Sequence, residues 1–311
     1  MNTAASTYPT TITRYLDQLR TSLHGSDPAL VQDALYDAED YLRSEMSENP
    51  GKSEAEIIAM VAGSYGAPGE VADIYRDTEI KVQTALRTPT PRWKTPWGKF
   101  FGVAADARSY SALFYMLLAV ATGLFYFTWV AVGASMSLGL SVLIIGIPVT
   151  ILYFGSVRVL SLVEGRIVEA MLGERMPRRP RYANRNDRWT VKIKGLFTDP
   201  RIWSTHIYLL LMAPLGVGYF SIFVTLIALV VGLVGLPLAI WTGFATGGLT
   251  TDSWALLHVQ LLGVDTVLTG GWLIACLVVG VFLLFGTLHL ARGIGYLHGL
   301  LAKHLLVASA R

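Results

Sequence analysis

The chain has 311 residues, of which 53% are apolar and only 15% are charged, and its formal net charge is +3. That small net charge hides two unlike parts, because the chain up to Lys81 carries 14 acidic and 6 basic residues, whereas the remainder carries 8 and 19. The later basic residues lie beside apolar segments, as membrane topology signals and lipid-headgroup contacts do, so we expect no direct nucleic-acid binding. The single cysteine, Cys276, excludes an intrachain disulfide and a thiolate metal cluster.

The acidic first part, residues 1–82, predicts a small helical domain, which we term the head. Apolar residues recur at helical spacing in four segments between residues 10 and 82. The segments are separated by a proline start at Asp27-Pro28, a capping-box pattern from Ser53 to Glu56, and a break at Gly66-Ala67-Pro68. We expect four amphipathic helices, with these acidic residues of the second helix facing solvent: Asp33, Asp37, Asp40 and Glu45.

The head also carries a family resemblance. Residues 51–58 read Gly-Lys-Ser-Glu-Ala-Glu-Ile-Ile, and residues 63–72 read Gly-Ser-Tyr-Gly-Ala-Pro-Gly-Glu-Val-Ala. In this order the stretches resemble the HAAS signalling domain of bacteria, which implies a cytoplasmic helical module joined to a membrane sensor and often encoded beside PadR-type regulators. Four acidic residues could then dock a cytoplasmic regulator, kinase or ATPase, or could simply belong to solvated helix faces: Asp37, Glu39, Asp40 and Glu70.

Residues 83–108 predict a stiff linker. Three prolines restrict its conformations, and Trp93 and Trp97 are typical of the membrane interface. We expect this segment to hold the head close to the membrane.

Three long segments contain no Asp, Glu, Lys or Arg: residues 109–157, 202–251 and 266–291. The hydrocarbon core of a bilayer takes about 20 apolar residues per helical crossing. We therefore predict an all-α protein whose polytopic membrane domain occupies residues 109–311. Its four predicted spans lie at about 110–133, 138–160, 205–230 and 270–297.

The membrane domain repeats itself. A shift of 93 residues aligns Asp106 with Asp199, Gly123 with Gly216 and Tyr126 with Tyr219. Matches in this order indicate two homologous helical hairpins rather than chance. We expect two parallel-repeated hairpins, with repeat 1 at 99–173, repeat 2 at 192–303 and an outer insertion at 238–270 in the second copy.

Lys and Arg residues predict the orientation of the spans. They lie at 87–108, 158–201 and 292–311, so the positive-inside rule places the head, the middle loop and the C-terminus in the cytoplasm. We expect a multi-pass protein of the bacterial inner membrane. Residues 231–251 predict either a re-entrant segment broken near Pro237 or an outer loop, and residues 253–262 predict an interfacial helix.

The membrane domain carries a second resemblance. Its matching stretches are Gly146-Ile-Pro, the segment from Arg158 to Glu164, and Asp199-Pro-Arg-x-Trp203. They resemble the sensor domain at the N-terminus of many actinobacterial sensor histidine kinases. Glu164-Gly165-Arg166 departs from the usual adjacent Glu-Arg, which questions the role of this pair. No kinase domain follows in the chain, so we expect output to pass through the head or through another protein.

Two groups of residues are candidates for ligand binding. Aromatics of the first and third spans could line an apolar pocket or form an interfacial aromatic belt: Tyr126, Trp129, Tyr219 and Phe220. Residues of the outer insertion could sense a polar signal or belong to a solvated loop: Trp241, Asp252, Trp254, His258 and Asp265.

Other polar residues near span ends predict structural roles. Asp106 suits the start of a helix, and His298 and His304 fall on the predicted surface of the cytoplasmic tail. We expect four residues to snorkel to lipid phosphates: Arg158, Glu164, Arg166 and Arg292. Haem ligation by His206 and His289 lacks supporting spacing, so we predict no cofactor and no metal site.

The sequence contains no P-loop, no Gly-x-Ser-x-Gly, no His-Glu-x-x-His and no kinase motif set, so we do not expect an enzyme. Our first hypothesis is a membrane sensor that detects a lipophilic or envelope signal and relays it through the head, alone or as a homo-oligomer. The alternatives are an accessory or permease-like subunit of an ABC-type transporter, and a membrane enzyme acting on lipid through Asp252 and His258.

Overall fold

The computed structural model describes residues 9–86, 95–141, 143, 146–179, 198, 200–242, 257–261, 264–268 and 270–307. The head contains α1 (Ile12–Ser22), α2 (Pro28–Glu48), α3 (Glu54–Ser64) and α4 (Pro68–Leu86). A short helix, α5 (Pro96–Phe101), and a 3-10 turn (Gly102–Ala105) precede the long helices α6 (Ala107–Leu140) and α7 (Gly146–Leu172). The chain continues through α8 (Pro200–Trp241), β1 (Leu257–Leu261), β2 (Val264–Leu268) and α9 (Gly270–Leu306).

The head has the four helices that its sequence predicts. Both halves of the capping box at Ser53 and Glu56 are formed, and Asp27 caps the helix that begins at Pro28. The core is made of fully buried side chains from all four helices, and the hydroxyl of Tyr15 donates to the carbonyl of Gly66 at 2.8 Å. Gly66 has a positive φ of 108°, a conformation that favours glycine, and it makes the turn into α4.

Four helices are long and apolar enough to cross a membrane: α6, α7, α8 and α9. They have 34, 27, 42 and 37 residues, more than the ~20 that one crossing needs. The prediction of a helical membrane protein with four spans is confirmed.

The segment after the third span departs from the prediction. Residues 231–241 continue α8 through Pro237 to Trp241, so the predicted helix break near Pro237 is wrong. A proline removes one backbone hydrogen bond, which a long apolar helix tolerates. Residues 243–251 lie outside the described part of the chain.

A second departure is a β-hairpin in the outer insertion. Strands β1 and β2 pair antiparallel, with Leu257 opposite Leu268 and Leu261 opposite Val264. The interfacial helix predicted over 253–262 is therefore wrong for residues 257–261. Leu257, Val259 and Leu261 alternate with polar neighbours, which is the period of a strand.

The chain divides into two compact units. Unit 1 comprises the head, the second half of α6, α7, the start of α8 and the end of α9; unit 2 comprises residues 89–124 and 212–297. Within unit 2, α6 and α8 touch at two glycines. A Cβ on Gly123 would lie 2.3 Å from the carbonyl oxygen of Met212, and one on Gly216 would lie 2.1 Å from that of Ala119. Only glycine permits these backbones to approach so closely.

Unit 2 also shows how α6 begins. Asp106 is buried, and its carboxylate accepts from the backbone N–H of Arg108 at 3.0 Å. Its other oxygen lies 2.9 Å from Nη1 of Arg292. The capping role predicted for Asp106 is observed. The side chain of Arg292 is 49% exposed, and its predicted snorkelling to lipid phosphates stays a prediction. Asp199, the repeat partner of Asp106, lies outside the described residues.

Candidate functional site

The segment that follows α7 carries a buried arginine against the head. Gly173, with a positive φ of 76°, lies just after the end of α7, and Arg175 follows with only 7% of its surface exposed. Its guanidinium lies 3.1 Å from Asp33 of α2, 3.1 Å from Glu79 of α4 and 3.3 Å from Glu169 of α7. We term these four residues the Arg175 cluster. It ties two helices of the head to one long apolar helix.

Electrostatics favour a charged arginine at the centre of the cluster. Burial alone would lower the pKa of Arg175, but hydrogen bonding and charge from Glu79, with the charges of Asp33 and Glu169, raise it. Burial raises the pKa of Asp33, although two backbone N–H groups and Arg175 act in the opposite direction. Those N–H groups belong to Arg178 and Arg179 and lie 2.7 and 2.8 Å from Asp33 Oδ1.

The position of Asp33 corrects an expectation. The sequence predicts a solvent-facing side chain, whereas Asp33 is 5% exposed and surrounded by donors of the segment after α7. Asp33 borders the apolar stripe of α2 and follows Leu30 by one helical turn. Because its partners are about 145 residues further along the chain, no local pattern could have revealed them.

Further contacts extend the attachment of the head. Asp37 Oδ1 lies 2.9 Å from Nε of Arg179, and Asp37 Oδ2 accepts from the hydroxyl of Tyr75 at 2.9 Å. Gln32 donates to the carbonyl of Arg179 at 2.9 Å. Lys303, near the end of α9, pairs with Asp27. The head therefore contacts both the segment after α7 and the last turn of α9.

The four predicted docking residues lie in different surroundings. Asp37 contacts the basic segment after α7, as described above. Glu39 pairs with Arg43 on its own helix at 2.9 Å, and burial raises its pKa. Asp40 is exposed, and Glu70 is exposed and accepts from the N–H of Ala67 at 3.0 Å. Their proposed role toward another protein stays a prediction.

A second polar group is buried among the long helices of unit 1. Glu164 of α7 is fully buried, and its two carboxylate oxygens accept from the hydroxyls of Tyr126 at 2.9 Å and Tyr208 at 3.0 Å. The hydroxyl of Tyr208 also lies 3.1 Å from Nε2 of His298. We term these residues the Glu164 network. It joins α6, α7, α8 and α9 through side chains alone.

The Glu164 network corrects two expectations. Glu164 was predicted to snorkel to lipid and His298 to lie on the surface of a tail, yet they are 0% and 1% exposed. The helices run further than the predicted spans, so Glu164 and His298 each lie eight residues before a helix end, about 12 Å inside it. A polar side chain held there must find partners, because burying it unpaired costs several kcal/mol.

The aromatic candidates differ in their surroundings. Tyr126 belongs to the Glu164 network, while Trp129 is exposed and donates to Ser156 Oγ at 2.8 Å. In unit 2, Tyr219 is half-buried, and Phe220 and Trp241 are exposed. Their role in binding a lipophilic ligand stays a prediction.

The polar candidates of the outer insertion are only partly described. His258 lies on β1 opposite Val267, and Asp265 lies on β2 opposite Gln260. Asp252 and Trp254 lie outside the described residues. Among the described residues, no group of three or more His, Cys, Asp or Glu side chains could hold a metal ion.

The histidines predicted near the spans have structural partners. The ring of His206 is buried, lies 2.6 Å from the carbonyl of Ile202 and packs against Tyr153 and Phe154. The ring of His289 stacks on Phe100 and lies 3.1 Å from its carbonyl.

A family model described as "Putative sensor" matches residues 115–306, the region that holds most of the four long helices and the buried polar network. The chain belongs to this sensor family. The match runs from within α6 to the end of α9 and includes all members of the Glu164 network. It begins after the head, so the resemblance of residues 51–72 to a HAAS domain stays a prediction. Comparisons with curated proteins and with solved structures find no match.

Proposed function

We propose that this sensor-family protein detects a lipophilic or envelope signal in its four-helix membrane domain and relays it through the head to a cytoplasmic partner. The observation that carries the proposal is the Arg175 cluster, in which one guanidinium joins Asp33 and Glu79 of the head to Glu169 of α7. A covalently linked domain needs no such contact to stay near the membrane. Buried ion pairs between the head and the segment after α7 are what we expect if the head docks and undocks as the arrangement of the membrane helices changes.

The relay runs along α7. Glu164 and Glu169 lie on this helix five residues apart, which is about 7.5 Å of helix rise. Glu164 holds hydroxyls of two other helices, and Glu169 holds Arg175. A ligand that prefers one arrangement of the bundle would shift α7 and with it the position of Glu169 relative to the head. The ligand can change the free-energy difference between the two arrangements by no more than the difference in its binding free energy to them.

The energy scale suits a switch. A buried ion pair adds little net stability, because its attraction is offset by the cost of removing both charges from water, and that cost is recovered when the head is released. Coupling energies between sites are typically about 1–3 kcal/mol. A ligand in the bundle can therefore change the docked fraction of the head substantially without unfolding either part.

We place the protein in the bacterial inner membrane with both termini in the cytoplasm. Support comes from the basic residues, which concentrate in 87–108, 158–201 and 292–311 and are absent from the connection near residues 134–145. On the same basis the head faces cytoplasmic regulators, which agrees with its resemblance to HAAS modules. We propose no catalytic activity. An ABC-type accessory role remains the alternative, and an ATPase as the partner of the head would favour it.

Docking of the head is measured in nanodiscs by crosslinking two cysteines with a bifunctional maleimide. On a Cys276→Ser background, Asp27→Cys and Lys303→Cys replace a pair whose side chains meet when the head is docked. Arg175→Gln should lower the yield of this crosslink several-fold. Arg166→Gln is the matched control, because Arg166 contacts the same Glu169 but is 52% exposed, so it should leave the yield unchanged. Equal yields in both variants would refute docking through Arg175.

Relay to a partner is measured by crosslinking mass spectrometry on native membranes. The full chain should crosslink to a cytoplasmic protein through α2 or α4, and Arg175→Gln should change the amount of this crosslink. Removal of residues 10–82 should abolish it. A partner that crosslinks equally without the head would contradict the proposal.

A further inference from the structure

A cavity of about 90 Å³ lies in unit 1 beside the Arg175 cluster. Its polar lining comes from three parts of the chain: Gln32 of the head, Arg158 and Ser161 of α7, and Arg201 and Thr205 of α8. Met176 and Pro177, which directly follow Arg175, complete one side. The cavity is a half-open pocket formed jointly by the head and the membrane helices.

The polar part of the lining has the chemistry of an anion site, and the rest of the lining is apolar. It contains two arginines, two hydroxyl side chains and one amide, and no acidic side chain is among the described residues that line it. Guanidinium groups bind phosphate oxygens with two parallel hydrogen bonds. The hydroxyl of Thr205 and the second amide N–H of Gln32 add donors, whereas the hydroxyl of Ser161 already donates to the carbonyl of Arg158 at 2.8 Å. The volume exceeds what one water molecule needs and accommodates a compact tetrahedral anion.

The two arginines stand where lipid headgroups are expected. Arg158 is the first charged residue after the uncharged segment 109–157, and Arg201 is the last before the uncharged segment 202–251. Basic residues that border uncharged spans lie at the level of the phosphate groups. The fold brings two such residues, which are 43 positions apart, to one cavity.

We infer that this cavity binds a phosphate-bearing anion between Arg158 and Arg201, either the headgroup of an anionic phospholipid or a free phosphate ester. Because Gln32 and Met176 line the same cavity, an occupied site favours the docked head. The effect on docking rests on the proposed relay, whereas the binding itself does not.

Binding is tested by the thermal midpoint of the full chain, since a ligand that binds only the folded state raises it. The chain is placed in phosphatidylcholine nanodiscs, in nanodiscs that also contain phosphatidylglycerol, and in phosphatidylcholine nanodiscs with inorganic phosphate against chloride at equal ionic strength. A rise with phosphatidylglycerol alone identifies a lipid headgroup. A rise with inorganic phosphate as well identifies a free anion.

Three variants and one control make the result specific. Arg158→Gln and Arg201→Gln each remove a guanidinium and should weaken binding about tenfold or more. Ser161→Leu fills the cavity with both arginines present and should abolish the rise. Lys99→Gln removes one exposed positive charge that does not line the cavity and should keep the wild-type rise. The inference is overturned if no anion raises the midpoint, or if all three cavity variants respond as the wild type does.

The maleimide crosslink between positions 27 and 303 separates binding from relay. A rise in midpoint with an unchanged crosslink yield would support the anion site and count against the relay. The reverse result, a change in yield without a change in midpoint, would count against the anion site alone.

Discussion

Arg175 and Asp33 are 142 residues apart in the chain, yet Nη2 of Arg175 lies 3.1 Å from Oδ2 of Asp33. Both side chains are buried, so this pair brings opposite charges together away from water. Such pairs add little net stability compared with apolar side chains of the same size. Their value is that they select one arrangement of two parts, and here the two parts are the head and the segment after α7.

The Glu164 network should contribute strongly to the stability of the bundle. Glu164→Ala leaves the hydroxyls of Tyr126 and Tyr208 without their acceptor, which costs about 1–3 kcal/mol for each. Tyr126→Phe removes one hydrogen bond and should cost less. Tyr110→Phe is the control, because Tyr110 lies on the same helix and is 49% exposed. Thermal unfolding in nanodiscs should rank Glu164→Ala as the least stable, and a Glu164→Ala midpoint equal to that of Tyr110→Phe would contradict the network.

Two glycines of α8 should respond in opposite ways to alanine. Gly216→Ala places a methyl group 2.1 Å from the carbonyl of Ala119, and such overpacking costs about 1–3 kcal/mol. Gly218→Ala meets nothing within 4 Å, so it should be neutral or gain up to about 1 kcal/mol of helix propensity. The two midpoints are compared in the same nanodiscs. Equal effects would show that α6 and α8 do not pack at Gly216.

Alkaline pH should unfold the head before the membrane helices. Burial, together with the nearby Tyr65, raises the pKa of Tyr15 and Tyr75. In the unfolded chain these phenols ionise near pH 10, whereas in the folded head they stay protonated. The folded state then holds more protons, so its stability is complete below about pH 10 and falls as the pH rises further.

Tyrosinate absorbance and circular dichroism, recorded together between about pH 9 and 11.5, check this expectation. Ionisation of the buried tyrosines should coincide with the loss of head helicity. Tyr15→Phe loses the hydrogen bond to Gly66, about 0.5–1.5 kcal/mol at neutral pH, but should show a weaker alkaline loss. Ionisation that precedes the loss of helix would indicate solvent-exposed phenols and contradict the packing of the head.

Local signals in the sequence predicted the elements well. The spans were predicted from uncharged segments. The helix starts at Pro28 and Pro68 were predicted from capping residues and prolines, which affect only the first turn of a helix. The β-hairpin was missed, although apolar and polar residues alternate from Leu257 to Leu261. So short a pattern fits both the two-residue period of a strand and the 3.6-residue period of a helix.

The polar clusters could not be read from the sequence. Glu164 resembled a residue at a span end because its acceptor role depends on Tyr126 and Tyr208, which lie on other helices. Arg175 was one of several basic residues between two spans, and nothing nearby in sequence distinguished it from its neighbours. Repeated glycines were visible at Gly123 and Gly216, but the backbone contacts that require glycine there depend on the helix crossing.

A double-mutant cycle between Asp33 and Arg175 tests the central claim most directly. The docked fraction of the head is measured by electron spin resonance distances in nanodiscs for the wild type, Asp33→Ala, Arg175→Ala and the double variant. Each single change should release the head, and the double change should release it less than the sum of the two, with a coupling energy above about 1 kcal/mol. Additive effects, within about 0.5 kcal/mol, would mean that Asp33 and Arg175 are not in contact in the membrane-bound protein and that the head is not coupled to the bundle through Arg175.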